Sequence, residues 1–419
     1  MINSRNAFIF DAVSIELTKI NVRDLQVGMY VSELDRPWTD TNFLFQGFEL
    51  KNEADVQAVQ DQCEYVFIDV KKQSSVLKSK GKEILFSREN TPVKKSNPDK
   101  ARLKQEIHAA GAVHREVSTV VKSFMQEVSL GRGIDVVLAK DVVATCVDSI
   151  VKAPDAAMWL TQLKRWDEYT SQHSMNVAIF AIALGRQLGL SVPDLNNLGM
   201  CGMMHDMGKM KVPIEILNKP GRLTPEELTI MNSHAALGWQ ILLSSRNMYG
   251  GAIDVAYTHH ERLDGTGYPR KLGSDKITPY ARMVTIVDMY DAITSDRVYQ
   301  KGRSHLEAIS IMTQNGGTHL DAELTVKFID CLGIYPPGNL IEMTNGEVAV
   351  VIETNPHHKL KPKVVFLLDE DKQPRTSVLV NLAETNLDKN KKPYKIKRIV
   401  RASDYNIDLN EFYREYLLD

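Results

Sequence analysis

Five of the eleven histidines in this chain fall within residues 173–260, a stretch whose apolar residues recur at helical spacing. A buried imidazole without a partner is costly, so a group of imidazoles in an apolar helical region requires compensation. Metal ligation would provide it, and this restricts the fold to one in which successive helices converge on a common centre. The five residues are His173, His205, His234, His259 and His260.

The 419 residues are too many for one core, since domains usually contain roughly 100–200 residues. Short β-like runs around one helical segment predict a small α+β N-terminal domain over residues 1–84. Residues 85–104 are rich in Lys, Ser, Asn and Pro and are interpreted as a polar linker. Helical periodicity predicts an all-α domain over 105–333, and alternating apolar runs predict a β-rich C-terminal unit over 334–419. The chain is therefore expected to be multidomain, with its all-α domain flanked by two smaller ones.

Composition excludes several classes of protein. The 51 basic and 53 acidic side chains nearly cancel, so no overall charge favours nucleic acid or an anionic membrane. The four cysteines are far apart and form no CxxC pair, which gives no support to a disulfide framework or a thiolate zinc site. No window approaches the ~20 consecutive apolar residues of a membrane helix, and the N-terminus lacks the apolar core of a signal peptide. A cytoplasmic protein with no nucleic-acid partner and no membrane insertion is expected.

The strongest local signal is the pair His205–Asp206 within GMMHDMGKMKVP. Adjacent side chains of a helix diverge by about 100°, so the pair can approach one metal from two directions, or Asp206 can bridge two metals. Lys209 follows on the same helical side, where its charge would hold a phosphate oxygen or steady a metal-bound hydroxide. An isolated His–Asp pair in a helix is more often a cap or a surface feature, so the motif needs support from elsewhere in the chain.

A second motif, THHERLDGTGYP, spans residues 258–269. The preceding segment is helical, and the glycines and proline of the motif turn the chain, so His259 and His260 are expected at a helix end that opens into a rigid loop. Paired histidines in this setting suit a second metal, with Glu261 and Asp264 orienting imidazoles from behind. A plain surface loop is the alternative interpretation.

Two carboxylates, Asp288 and Asp291, lie three residues apart on one predicted helical face. Asp288 is predicted to complete a His/Asp ligand shell, and Asp291 to cap or hydrogen-bond within the helical bundle. A lone histidine such as His173 or His234 is usually an ordinary core or surface group. The assembled set, however, is typical of a dinuclear site built from successive helices, whose ligands favour iron, manganese or zinc over copper(I).

HDMGK together with HHERLDGTGYP resembles the HD-GYP family, a branch of the HD-domain phosphohydrolases, over residues 150–330. The resemblance implies an all-α domain with two or three metals, commonly iron or manganese. It also implies hydrolysis of cyclic di-GMP to linear pGpG, or further to GMP, with a bridging hydroxide as the nucleophile. The N-terminal segment VGMYVSELDRPWTDTNFLFQGFEL resembles the uncharacterised domain that often precedes HD-GYP domains.

Residue by residue, the resemblance implies that Asp206 bridges the metals and is catalytic. Some family members hold a third metal with a glutamate four residues before the first histidine, but Tyr169 stands there in this chain. Two divalent metal ions, iron or manganese, are therefore expected as cofactors. The implied metal ligands are His173, His205, Asp206, His234, His259, His260 and Asp288.

The implied substrate contacts are Lys209, which is also a catalytic candidate, Arg297 and Lys301; the RPY of many family members reads RVY here. One alternative substrate is 3',3'-cyclic GMP-AMP, which the same metal core could cut. An alternative of another class is a catalytically inactive sensor of cyclic dinucleotides, although the complete ligand set argues against it. A homodimer, or a signalling partner bound through the N-terminal domain, is a further hypothesis.

Overall fold

The computed structural model describes residues 17–36, 48–50, 52–69, 99–163, 169–295, 302–355, 357–384, 387–388 and 391–414. The chain divides into two compact units, Met1–Lys95 and Ser96–Asp419. Among the described helices, none combines the length and the apolar character needed to cross a bilayer.

The described part of the first unit is an antiparallel sheet with one helix, as predicted for an α+β domain. The four strands lie in the order β1–β4–β2–β3. Val31, Leu50, Val59 and Val66 are fully buried at its core, which is how so short a segment maintains a sheet and a helix together. The elements are β1 (Leu17–Asn21), β2 (Tyr30–Leu34), β3 (Phe48–Glu49), α1 (Glu53–Gln60) and β4 (Tyr65–Asp69).

The second unit begins with the helical domain. Its first helix starts at Asp99 and therefore includes residues 99–104, which were predicted to belong to the linker. The reason is burial: Leu103 and Ile107 extend the apolar face of this helix toward its start. The helices are α2 (Asp99–Ser129), α3 (Val136–Lys152), α4 (Pro154–Leu160), α5 (Tyr169–Gln187), α6 (Val192–Met204), α7 (Ile214–Leu217), α8 (Pro225–Asn232), α9 (His234–Ser244), α10 (Gly250–Thr258), α11 (Pro279–Thr294), α12 (His305–Gln314) and α13 (Ala322–Leu332).

Helix starts and close packing fix the positions of the helices that carry the predicted ligands. The side chain of Ser191 caps α6 and that of Thr278 caps α11, and in each case a proline follows within the first turn. Helices α5 and α6 approach closely at Gly202, where a Cβ would lie 2.9 Å from Cα of Ala178. The helix with His173 and the helix that ends before His205 are thereby held side by side.

A five-stranded antiparallel sheet follows the helices, in the order β8–β7–β6–β5–β9. The β-rich character predicted for the C-terminal unit is confirmed, but the sheet is not independent of the helices. Trp159 of α4 stacks on Tyr413, with ring centroids 5.6 Å apart, and Asp155 accepts a hydrogen bond from Thr354 N at 2.9 Å. The elements are β5 (Leu340–Met343), β6 (Val348–Glu353), β7 (Lys363–Leu368), β8 (Pro374–Asn381), β9 (Ile396–Val400) and α14 (Leu409–Phe412).

Candidate metal centre

The seven predicted ligands lie together, most of them at helix ends. His173 is near the start of α5, His234 opens α9, His259 and His260 follow α10, and Asp288 lies within α11. In groups of three or four, their ligand atoms lie within 4.8 Å of one another. The structure therefore brings together all the residues predicted to bind metal.

The prediction that the His205–Asp206 pair lies within a helix is wrong. Helix α6 ends at Met204, and Asp206 opens a 3₁₀ turn. The chain changes conformation here because Gly208 packs directly on α9: a Cβ at Gly208 would collide with the carbonyl oxygen of His234. This contact brings the His–Asp pair against the start of the helix that supplies the next histidine.

Asp206 lies at the centre, with one carboxylate oxygen toward each of two groups of ligands. Its Oδ2 lies 3.4 Å from His173 Nε2 and 3.2 Å from His205 Nε2. Its Oδ1 lies 3.4 Å from His234 Nε2 and 3.7 Å from His259 Nε2. A carboxylate in this position is suited to bridging two cations.

The two groups of residues that face Asp206 are called here the acidic side and the imidazole side. The acidic side comprises His173, His205 and Asp288, with Asp288 Oδ1 at 3.1 Å from His173 Nε2. The imidazole side comprises His234, His259 and His260. On that side, His234 Nε2 lies 3.4 Å from His259 Nε2 and 3.1 Å from His260 Nε2.

Backbone carbonyls fix the orientation of three of the imidazoles. In each, Nδ1 lies at hydrogen-bond distance from a carbonyl of the preceding helical turn, and because a carbonyl only accepts, Nδ1 carries the proton. The Nε2 lone pair is then left for the centre. The pairs are His205 with Gly202 at 2.7 Å, His234 with Met231 at 2.7 Å and His259 with Val255 at 3.0 Å.

A carboxylate orients the fourth imidazole. Nδ1 of His173 lies 2.7 Å from Asp291 Oδ2, and Asn176 donates to Asp291 Oδ1 at 2.8 Å. The prediction that Asp291 hydrogen-bonds within the bundle is thus confirmed. An acceptor carboxylate behind a histidine raises the basicity of its inner nitrogen and so strengthens it as a ligand.

The donor atoms of this cluster fit a pair of divalent cations. His205 Nε2 and Asp206 Oδ1 are buried and form no hydrogen bond with any described residue. On the imidazole side, inward Nε2 lone pairs face one another at close range. Buried polar atoms without partners are rare in folded proteins, and cations between them would satisfy these atoms. Imidazole and carboxylate ligands without thiolate suit iron, manganese or zinc.

The electrostatics favour the protonation states that ligands require. Burial alone would raise the pKa of Asp206, but its electrostatic interactions with His205 and Lys209 outweigh burial and hold that pKa well below its usual value. Lys209 Nζ contacts Asp206 Oδ2, because a 3₁₀ turn aligns residues i and i+3. Burial lowers the pKa of His234 to about 4, and burial with neighbouring imidazoles lowers that of His260 strongly. The carboxylate is therefore charged and these imidazoles are neutral at pH 7.

The loop after α10 corrects another prediction. Glu261 and Asp264 were expected to orient imidazoles, but among the described residues neither carboxylate forms a hydrogen bond with an imidazole. The Glu261 carboxylate accepts from the backbone N–H of Arg270 at 2.6 Å and of Leu272 at 2.9 Å. Asp264 pairs with Arg262 at 2.7 Å within the loop itself. Both carboxylates bond the loop directly, because the chain folds back on itself here and its backbone N–H groups need acceptors.

Three residues around the predicted ligands were not anticipated from the sequence, and one of them, Asn176, acts through Asp291. Besides Asn176, the Thr285 hydroxyl donates to the carbonyl oxygen of His259 at 2.7 Å. The Tyr268 ring stacks on His260, with centroids 4.7 Å apart. Thr285 precedes Asp288 by three residues and Asn176 follows His173 by three, so helical spacing from a ligand was the available signal.

Arg297 and Lys301, the predicted substrate contacts, lie outside the described residues, and so does the side chain of Tyr169. Lys209 is described, and its side chain is 22% exposed beside the cluster. Of the predicted substrate contacts, it is the one whose position is known.

Comparison with known proteins identifies three domains in this chain. A model of the HD domain matches residues 158–324. A domain of unknown function, DUF3391, matches residues 17–139, and a KOW domain associated with the HD domain matches residues 340–407. The first match covers the helices that carry the clustered histidines and aspartates, and the third covers the five-stranded sheet.

One similar protein matches most of the chain, and another matches less than half of it. The chain is 37% identical over 369 residues to the cyclic di-GMP phosphodiesterase PA4108 of Pseudomonas aeruginosa, covering 87% of this chain and 89% of that protein. It is 36% identical over 168 residues to the 3'3'-cGAMP-specific phosphodiesterase 3 of Vibrio cholerae, covering 40% of this chain and 36% of that protein. With its motifs and domain matches, the chain belongs to the HD-GYP branch of the HD-domain phosphohydrolases.

Proposed function

We propose that this chain is a metal-dependent phosphodiesterase that hydrolyses cyclic di-GMP to linear pGpG, with GMP as the product of a second cut. The observation that carries the proposal is the position of Asp206, whose two oxygens face two separate groups of nitrogen and carboxylate ligands. The extended similarity to a cyclic di-GMP phosphodiesterase supports the choice of substrate.

The residues of the chain have distinct roles in this reaction. When bound, two divalent cations would lower the pKa of a shared water and neutralise charge on the phosphate. Asp206 sets the spacing of the two sides, and the Nδ1 hydrogen bonds fix the imidazoles before substrate arrives. The partly exposed Lys209 offers its charge to a phosphate oxygen as negative charge develops there. We assign Arg297 and Lys301 to the remaining phosphate or to a guanine edge.

The cofactor we propose is a pair of iron or manganese ions. The mixed nitrogen and oxygen donors support this choice, since thiolate ligands are absent from the described cluster. All four cysteines are free, which is usual for the reducing cytoplasm, where we place this activity. We assign the N-terminal unit, which is compact in its own right, to binding a signal or a partner.

A second candidate substrate is 3',3'-cyclic GMP-AMP, because a relative over the catalytic domain is specific for that compound. Both substrates present the same phosphodiester to the metals, so the bases must decide between them. A catalytically inactive sensor is the alternative of another class, and the complete set of ligands disfavours it.

One experiment tests the proposal against both alternatives. Protein purified without oxygen is loaded with iron or manganese and incubated with each cyclic dinucleotide, and the products are separated by chromatography. We expect cyclic di-GMP to be cut faster, with pGpG appearing first. Faster cutting of cyclic GMP-AMP would transfer the assignment to that substrate, and loaded metal without any product would leave only the sensor.

A further inference from the structure

The GYP loop, residues 265–269, folds back tightly against the two histidines that precede it. A Cβ at Gly267 would collide with the backbone of Glu261 and Arg262, so only glycine permits this approach. Tyr268 N donates to the carbonyl oxygen of His260 at 3.2 Å. The Tyr268 ring then lies over the His260 ring at an interplanar angle of 29°.

Glu261 holds this loop from within. Glu261 is only 1% exposed. Its two carboxylate oxygens accept hydrogen bonds from backbone N–H groups of the segment that follows Tyr268. Hydrogen bonds to a buried carboxylate are roughly twice as strong as neutral ones. Arg270 adds a second anchor, since its guanidinium lies 5.6 Å above the Tyr257 ring. The position of Tyr268 is therefore fixed from both of its flanks.

His260 differs from its neighbours in how it is held. His234 and His259 each use Nδ1 to bond a backbone carbonyl. For His260, the structure gives no hydrogen bond between Nδ1 and any described residue, and the stacked Tyr268 ring covers its face instead. Rotation of His260 away from Asp206 is opposed by the tyrosine, and movement of the tyrosine is opposed by Glu261.

We propose that Glu261 and Tyr268 are positioning residues that keep His260 directed at the imidazole side, so that metal retention on that side depends on them. This inference rests on the dinuclear site proposed above. Neither residue is a ligand in it. Positioning groups of this kind typically contribute about 10- to 100-fold to metal affinity.

The test is Glu261→Gln in the full chain, with Mn²⁺ binding to metal-free protein followed by calorimetry. The glutamine side chain has one oxygen and one NH₂ group, and the NH₂ group cannot accept from a backbone N–H. One of the two hydrogen bonds from the loop backbone is therefore lost. We expect one of two Mn²⁺ affinities to fall about 10- to 100-fold while the other is unchanged. Tyr268→Ala should act in the same way, and Tyr268→Phe, which keeps the ring, should restore both affinities.

A matched control lies in the same loop. Asp264→Asn also neutralises a carboxylate that braces the loop, but this carboxylate is more exposed and bonds Arg262 and Thr266. It should leave both Mn²⁺ affinities at the wild-type values.

If wild-type protein binds a single Mn²⁺, the dinuclear site itself is refuted. If wild type binds two and Glu261→Gln binds both equally well, or loses both together with a lower Tm, the positioning role is refuted.

Discussion

The two sides of Asp206 use the same type of ligand in different electrostatic surroundings. On the acidic side, Asp288 contributes a second carboxylate and Asp291 stands behind His173. On the imidazole side, Asp206 is the one carboxylate in the group that it forms with His234, His259 and His260, although His259 also groups with His205 and Asp288. A divalent cation therefore meets more negative charge on the acidic side.

The pKa shifts of the histidines follow this difference. Burial lowers the pKa of His234. Burial alone would also lower the pKa of His173, but the contacts of His173 with Asp206, Asp288 and Asp291 outweigh it and raise that pKa. His234 stays neutral to about pH 4. The acidic side thus favours a positive charge, which a cation can supply in place of the proton, whereas the imidazole side offers neutral donors. We expect the acidic side to bind the tighter metal.

Removing the shared ligand should have the largest effect. Asp206→Asn removes the negative charge that both sides share, so we expect loss of both metals. We also expect kcat to fall on the order of 10³-fold or more, which is equivalent to about 4 kcal/mol of activation barrier. Metal analysis and turnover of cyclic di-GMP measure this. Circular dichroism is the control for folding. A folded variant with two metals and near-wild-type turnover would remove Asp206 from the centre.

Removing one ligand from each side should separate the two. Asp288→Asn should abolish the tighter of two Mn²⁺ affinities, and His234→Gln the weaker. Asp288 contacts His173, which faces Oδ2 of Asp206, whereas His234 faces Oδ1. Both variants should lose about 10²- to 10³-fold in kcat, because each would lose one cation, and losses of this size are common when one group that stabilises transition-state charge is removed. Calorimetry with Mn²⁺ measures both. Loss of the same affinity in the two variants would show that the sides are not distinct.

The residues that the structure clusters around Asp206 were predictable, but their local geometry was not. Histidines and aspartates on successive predicted helices, with two recognisable motifs, predicted which side chains would lie together. The sequence did not reveal that α6 ends before His205, because that end is set by packing of Gly208 on another helix. Nor did it reveal the role of Glu261, which depends on where a loop returns eleven residues later at Leu272.

The domain order was also predictable from changes in periodicity along the chain. The contact between the sheet and the helices was not, since it joins Trp159 to Tyr413 across most of the second unit. Alternation of apolar residues predicts strands but does not say what their buried face packs on. Long-range packing of this kind is decided by shape, which a local pattern does not contain.

A smaller effect is expected from the residue behind the acidic side. Asp291→Asn leaves every ligand in place but weakens the hydrogen bond that orients His173 and raises its basicity. We expect the tighter Mn²⁺ affinity to fall about 10- to 100-fold, with the weaker one unchanged. Asn176→Ala, which removes only the donor to Asp291 Oδ1, should shift the same affinity less. Equal weakening of both affinities would instead indicate a general loss of packing.

The buried His305, outside the cluster, provides a comparison with the clustered histidines. His305→Gln should leave turnover at neutral pH nearly unchanged. His305 is buried in the same bundle, but Nε2 lies 3.0 Å from the Gly333 carbonyl oxygen, so Nδ1 is left to accept from the Tyr290 hydroxyl at 3.0 Å. Both nitrogens are satisfied and none remains for a metal.

Burial lowers the pKa of His305 to about 4, whereas the unfolded chain takes up this proton near its ordinary value of 6.5. The unfolded state therefore binds more protons between these values, and stability falls as pH drops from about 6.5 toward 4, by up to about 3 kcal/mol. Urea unfolding of His305→Gln and wild type across this range should show a shallower loss in the variant, and parallel curves would contradict it.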